Sequence, residues 1–161
     1  MFSKEFTHFN YVCKVSIKND MVYSCGLDFK VMAWSIPNKQ KKYEFKHSGC
    51  VYGVVIGLEE TPLANRLVSI SGDKTCRISN SETGTEIKKI SLDSYCWSVA
   101  VDRAQTLIAV GTDKNVTIIE TTNFAKVKEV SLDNVYSLAF NSRNDRMLAI
   151  TKTGEIHSFK F

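Results

Sequence analysis

One pattern recurs four times along this 161-residue chain, and it restricts the fold more than any other feature. Each copy has a short apolar segment, a turn and a second apolar segment. The last positions of the four copies are Trp34, Ser79, Ile119 and Phe159, which lie 45, 40 and 40 residues apart. A regular spacing of this length is typical of a repeat protein, in which each unit packs against its neighbours.

Within each repeat, apolar and polar residues alternate as they do in β-strands. An alternating segment precedes each copy, for example at 51–56, and a charged alternating segment follows the first three, for example at 86–92. The sequence therefore predicts an all-β fold with four antiparallel strands, here called a to d, in each repeat. Four short strands in a unit of about 40 residues are typical of a β-propeller blade. The charged d strands suit exposed sheet edges, where charge discourages pairing with other chains.

The first repeat carries His8 before strand a, Ser24 in strand b, Asp28 in the b–c turn and Trp34 in strand c. In this set the sequence resembles the WD-repeat β-propeller family, whose corresponding residues are hydrogen-bonded within the blade. The resemblance extends over nearly the whole chain, although only the first repeat has the complete set. The later repeats keep His47, Ser69 and Asp73 in the second and Asp113 in the third. The resemblance implies that these residues stabilise the blades.

The chain is predicted to be a single propeller or half-propeller, with blades at about 7–46, 47–92, 93–132 and 133–161. Residues 4–8 match residues 43–47 at three positions, so residues 1–6 are predicted to form a surplus outer strand. The sequence stops two residues after Phe159, which leaves the C-terminal blade short of its own outer strand.

Rings of the WD-repeat family have about seven or eight blades, so the resemblance implies that four blades form an open half-ring. Such a half-ring would expose two apolar blade faces. We therefore expect a homodimer that closes an eight-bladed ring, with residues 2–6 of each chain completing blade 4 of the other. Two alternatives remain open: a compact four-bladed monomer, and a ring completed by a different protein.

An enzymatic function is not expected, because no acid–base pair or metal-ligand spacing is visible. No cofactor or metal is expected either. No apolar run is long enough for a membrane span, and the first residues lack a signal peptide. These features predict an intracellular protein, cytoplasmic or nuclear, without membrane association, whose five cysteines are free thiols.

Binding is expected at the loops that lead into strand a and at the b–c turns, the face that WD-repeat propellers use most for partners. The candidate partner-binding residues there are Phe9, Tyr11, Phe29, Lys74, Tyr95, Lys114 and Asn134. Strand a also carries an aromatic residue in three repeats, at Tyr52, Trp97 and Tyr136, for which packing between blades is the favoured interpretation. The insertion at 57–65 offers Leu63 as a docking point, although a tolerated insertion is an equal alternative.

A cluster of lysines at Lys39, Lys41 and Lys42 forms a candidate basic patch. Exposed charge on an edge strand is its simplest interpretation, and an electrostatic surface for RNA is the alternative. The predicted function is a non-enzymatic protein–protein interaction scaffold or adaptor, a subunit of a larger assembly. The second hypothesis is an RNA- or ribonucleoprotein-associated factor that binds through the basic edge.

Overall fold

The computed structural model describes residues 7–143 and 145–160, and it confirms the predicted all-β fold with one sheet for each repeat. Blade 1 contains β1 (Val12–Lys18), β2 (Met21–Gly26), β3 (Lys30–Ser35) and β4 (Gln40–Lys46). Blade 2 contains β5 (Val51–Ile56), β6 (Arg66–Ser71), β7 (Thr75–Asn80) and β8 (Glu86–Ser91). Blade 3 contains β9 (Cys96–Val101), β10 (Leu107–Thr112), β11 (Asn115–Glu120) and β12 (Lys126–Ser131). Blade 4 contains β13 (Val135–Phe140), β14 (Arg146–Thr151) and β15 (Ile156–Lys160).

Each sheet is an antiparallel meander in which neighbouring strands follow one another in sequence. The fourth sheet has three strands among the described residues, as predicted for a blade that lacks its outer strand. The predicted strand at residues 1–6 and the final residue of blade 4 lie outside the described residues. The described part of the chain contains no helix that is long and apolar enough to span a membrane.

Among the described residues, three apolar cores hold the blades together, one between each successive pair. The alternation of the strands explains this arrangement, because one face of a sheet packs against the preceding blade and the other against the next. In blade 3, for example, Ile108 and Val110 pack toward blade 2, whereas Ala109 and Ile118 pack toward blade 4. Because both faces are covered, most residues of strands b and c in blades 1 to 3 are buried.

The long a–b loop of blade 2 contributes to one of these cores. Leu63 is fully buried and packs between blades 2 and 3 with Val68 and Ile108. The hypothesis that Leu63 is a docking point is therefore wrong, because its side chain is part of the core between blades 2 and 3 and is inaccessible to a partner. The insertion instead extends the interface between two blades.

Candidate functional site: an aromatic groove on the loop face

The segments before strand a and the b–c turns lie at the same end of the blades, here called the loop face. In blade 1, His8 Nδ1 lies 2.9 Å from the carboxylate of Asp28, and His8 Nε2 lies 2.8 Å from Ser24 Oγ. Trp34 Nε1 donates to the same Ser24 hydroxyl at 3.2 Å. The four residues of the blade 1 set thus form one continuous hydrogen-bonded network. This network connects strands b and c to the segment that precedes strand a.

Blade 2 repeats the network without the tryptophan. His47 lies 3.0 Å from Asp73 Oδ2 through Nδ1 and 2.9 Å from Ser69 Oγ through Nε2. The Asp73 carboxylate also accepts bonds from the backbone N–H groups of Ser48 and Thr75. Each carboxylate therefore fixes a b–c turn and the neighbouring loop together, and these turns present Phe29 and Lys74 with positive φ angles of 69° and 65°.

Blade 3 differs from this pattern at Asp113. Its carboxylate accepts the hydrogen bond of the Trp97 indole Nε1, from strand a of the same blade. The turn is closed by Thr112, whose hydroxyl accepts the N–H groups of Lys114 and Asn115. The aspartates at equivalent sequence positions therefore have different partners, and in blade 3 the acceptor that closes the turn is Thr112.

The buried histidine of blade 2 titrates abnormally. Burial lowers the pKa of His47 to about 4, and this effect exceeds the opposite influence of Asp73. Below pH 6.5 the unfolded chain therefore binds a proton that the folded chain excludes until about pH 4. The contribution of His47 to the free energy of unfolding is therefore complete above pH 6.5 and decreases as the pH falls toward 4.

We expect the free energy of unfolding to decrease by about 3 kcal/mol between pH 7 and pH 4 because of His47. Urea denaturation at a series of pH values measures this slope. His47→Gln removes the titrating group and should flatten the profile, whereas His157→Gln, which changes a half-exposed histidine, should leave it unchanged. An equal slope in the wild type and in His47→Gln would contradict the assignment.

The loop face carries a groove lined by four aromatic side chains, Phe29, Tyr52, Tyr95 and Trp97, which we call the aromatic groove. The rings of Tyr52 and Trp97, from adjacent blades, have centroids 4.6 Å apart, and Tyr95 meets Trp97 edge-on at 6.3 Å. Ring pairs of this geometry stabilise one another while leaving the remaining surface open to a ligand.

Two lysines lie on the rings of this groove. Lys152 Nζ from blade 4 lies 3.6 Å from the centroid of the Trp97 ring, and Lys74 Nζ lies 6.0 Å from that of Tyr95. An ammonium group over an aromatic face is attracted by the ring quadrupole. Both lysine residues are exposed, so the groove combines apolar surface with positive charge at its margin.

A β-bulge explains why two strand residues reach this groove. In each strand a the pairing with strand b shifts register at one residue, which is Tyr52 in blade 2 and Trp97 in blade 3. Without the bulge Tyr52 would share the face of Val54 and Ile56, which packs against blade 1. The bulge re-aims the extra side chain toward the groove.

The favoured interpretation of packing between blades is confirmed for Tyr52 and Trp97, and the same two rings also line the open groove. Their signal in the sequence was an interruption of the alternation, with two apolar residues in succession at 51–52, 96–97 and 135–136. The third member, Tyr136, is exposed and lines a second depression along the inner strands with Cys13, Tyr52 and Trp97.

The structure brings together only part of the predicted binding set. Phe29 and Tyr95 line the aromatic groove, and Lys74 lies against Tyr95. The other predicted residues, all exposed, lie outside its lining: Phe9, Tyr11, Lys114 and Asn134. The backbone carbonyl of Asn134 nevertheless accepts the N–H of Lys152, the lysine that covers Trp97.

Acidic residues lie beside the lysines of the predicted basic patch. Lys41 forms an ion pair with Glu44, which Lys30 also contacts at 2.9 Å. These lysines, Lys41 first, lower the pKa of Glu44 to about 2. Lys42 lines a depression with Glu59 and Glu82. Lys41 and Lys42 also line one shared depression, together with Asn38 and Gln40.

Within residues 7–143 and 145–160, no group of three or more His, Cys, Asp or Glu side chains is arranged to hold a metal ion. The cysteines of this part of the chain are all unpaired thiols. Burial raises the pKa of Cys96 to about 12 and that of Cys76 still higher, so these thiols remain protonated near neutral pH.

Comparison with known proteins identifies the fold. No protein-family model and no curated protein matches the sequence. Among solved structures, the computationally designed Ika4 protein has a TM-score of 0.83 at 16% identity, with 96% of this chain and 94% of that chain covered. The WD40 β-propeller domain of Doa1 has a TM-score of 0.82 at 15% identity, with 96% of this chain and 52% of that chain covered.

These similarities define the class: the chain has a β-propeller fold, with a WD40 propeller domain among its structural neighbours. At these identities the likeness concerns the fold alone. The chain spans about half the length of the Doa1 domain and nearly all of the designed protein.

Proposed function

We propose that this protein is a WD-repeat-type propeller that acts as a non-enzymatic scaffold or adaptor within a larger assembly. Its aromatic groove would bind a peptide segment of a partner protein. The observation that carries this proposal is the convergence of Phe29, Tyr52, Tyr95 and Trp97 in one open groove on the loop face. Aromatic side chains at the centre of a concave surface are the usual anchors of protein interfaces.

The chemistry of the groove favours a particular kind of peptide. An apolar side chain would displace water from the rings, and a nearby carboxylate would meet Lys74 or Lys152 at the margin. The supporting turns are held by buried hydrogen-bonded networks, so little loop ordering would oppose binding. We therefore expect peptides that combine an aromatic or aliphatic residue with an acidic one.

Selection from a random peptide display library, followed by isothermal titration of the best peptides, tests the proposal. Tyr95→Ala should weaken binding by about 10-fold or more. Phe29→Asn should do the same, because asparagine tolerates the positive φ of this position. Ile36→Ala removes a similarly exposed apolar residue from the opposite end of the blades and should leave affinity unchanged.

If no peptide is selected, or if Ile36→Ala and Tyr95→Ala lose the same peptide affinity, a function based on the groove is contradicted. The RNA hypothesis is tested beside the peptide hypothesis, with a variant of the basic patch. A single-stranded RNA oligonucleotide bound with steep salt dependence, and released by joint substitution of Lys39, Lys41 and Lys42 with alanine, would replace the proposal. The ion pair of Lys41 with Glu44, which offsets part of the positive charge, argues against that result.

A further inference from the structure

The outward face of blade 4 is apolar and uncovered. Leu148, Ile150 and Ile156 are exposed by 43%, 41% and 70%. They belong to strands b and c, whose opposite face is buried against blade 3 through Met147 and Ala149. Three exposed aliphatic residues on one sheet face require an explanation, because such patches mark interaction surfaces.

The register of the repeats identifies what this face is. Leu148, Ile150 and Ile156 occupy the strand positions that face the next blade in each of the other three blades. The equivalent residues are Tyr23, Cys25 and Val31 in blade 1, Val68, Ile70 and Cys76 in blade 2, and Ala109, Gly111 and Val116 in blade 3. All of these are buried. The outward face of blade 4 therefore has the composition and the register of a blade interface.

Blade 1 has a complementary face that is uncovered along strand a, whereas Ser24, Met32 and Trp34 on the same face are buried. Val15 and Ile17 of its strand a are exposed by 47% and 62%. Ile17 pairs with Val22 as Ile56 pairs with Leu67 in blade 2, so Val15 and Ile17 are equivalent to Val54 and Ile56. In blade 2 these positions are buried against blade 1. Strand a of blade 1 therefore offers an uncovered apolar edge that matches the strand a contact made by each later blade.

We propose that a second copy of this chain covers both faces, with blade 4 of each copy packing on blade 1 of the other. One chain carries residues of both sides of such an interface, so two copies would cover the outward face of blade 4 and strand a of blade 1 in both chains. The packing needed already exists three times within the chain. This inference does not depend on the function of the aromatic groove.

The curvature of the blades favours closure at two copies. Four blades superpose on about half of a WD40 propeller domain over 96% of this chain, so each copy supplies about half of such a ring. A heterologous contact that rotates by half a turn closes after two copies, whereas another rotation would give a larger ring or an open filament. The expected particle is an eight-bladed ring with a two-fold axis.

Light scattering coupled to size-exclusion chromatography of this 161-residue chain tests the proposal. We expect a mass of about twice the 18.1 kDa of one chain, constant from about 1 to about 100 micromolar. Ile150→Glu changes blade 4 and Ile17→Glu changes blade 1. Each variant should raise the dissociation constant of the dimer by at least about 100-fold, because each of the two contacts between the chains would then bury a glutamate. Ile150→Thr, which retains β-branching, should weaken association less.

Ile36→Glu changes an isoleucine of similar exposure away from both faces and should remain dimeric. Circular dichroism verifies that each variant is folded, and Tyr95→Ala should also remain dimeric, which separates this proposal from that of the groove. A constant mass near 18 kDa for the wild type would overturn the proposal. So would a mass that rises with concentration beyond two chains, or a dimer that none of the face variants affects.

Discussion

Asp73→Ala is expected to lower the free energy of unfolding by about 3–5 kcal/mol, because it removes the shared acceptor of a buried network. The Asp73 carboxylate is bonded to His47, to the backbone N–H groups of Ser48 and Thr75, and to the Thr75 hydroxyl at 2.6 Å. Arg77 also contacts it at 3.4 Å. Alanine would leave several of these donors in a site that is almost closed to water.

Chemical denaturation at neutral pH measures the effect. Asp133→Ala removes an exposed aspartate and should change stability by less than about 0.5 kcal/mol. Asp73→Asn retains the shape of the side chain and should fall between the two. A loss in Asp73→Ala no larger than that in Asp133→Ala would show that the network contributes little.

The pKa of Asp73 predicts that the contribution of this network to stability also depends on pH. Burial tends to raise its pKa, but the hydrogen bonds from Thr75, Ser48 and His47 outweigh burial and lower the pKa to about 2. Its stabilising contribution is therefore complete above the ordinary value of 3.8 and is lost as the pH falls from about 4 toward 2. Asp73→Asn should lack this part of the acid transition.

Gly57→Ala is expected to destabilise the protein by about 3 kcal/mol or more, because the added methyl group has no space. A Cβ atom at Gly57 would lie 1.7 Å from the backbone oxygen of Leu63. That oxygen accepts the N–H of Arg66, and the Leu63 side chain is fixed in the core between blades 2 and 3. The backbone of the loop therefore cannot move away without opening this core.

Thermal denaturation should show a decrease in Tm of about 10 °C for Gly57→Ala. Gly72→Ala is the matched control, since its Cβ would make ordinary contacts of 3.4 and 3.5 Å with Tyr52 and Tyr95. This variant should remain within about 1 kcal/mol of the wild type. Equal Tm values for the two variants would mean that the a–b loop yields easily and that Leu63 is not an essential part of the core.

The sequence alone determined the strands, the four blades and the outline of the loop face. These follow from local alternation and from a repeat that recurs at equal spacing, and both are properties of residues near one another in the chain. Phe29, Lys74 and Tyr95 could be assigned to the loop face for the same reason, because turns and loop segments recur at fixed positions in each repeat.

Only the tertiary structure decided which residues meet across the blades. The burial of Leu63, the bond from Trp97 to Asp113 and the position of Lys152 over Trp97 depend on bulges and on packing between distant segments. It also showed that Leu148, Ile150 and Ile156 repeat the register of buried interfaces while remaining uncovered. Strand alternation assigns a residue to a face of a sheet, but only the assembled blades determine whether anything covers that face.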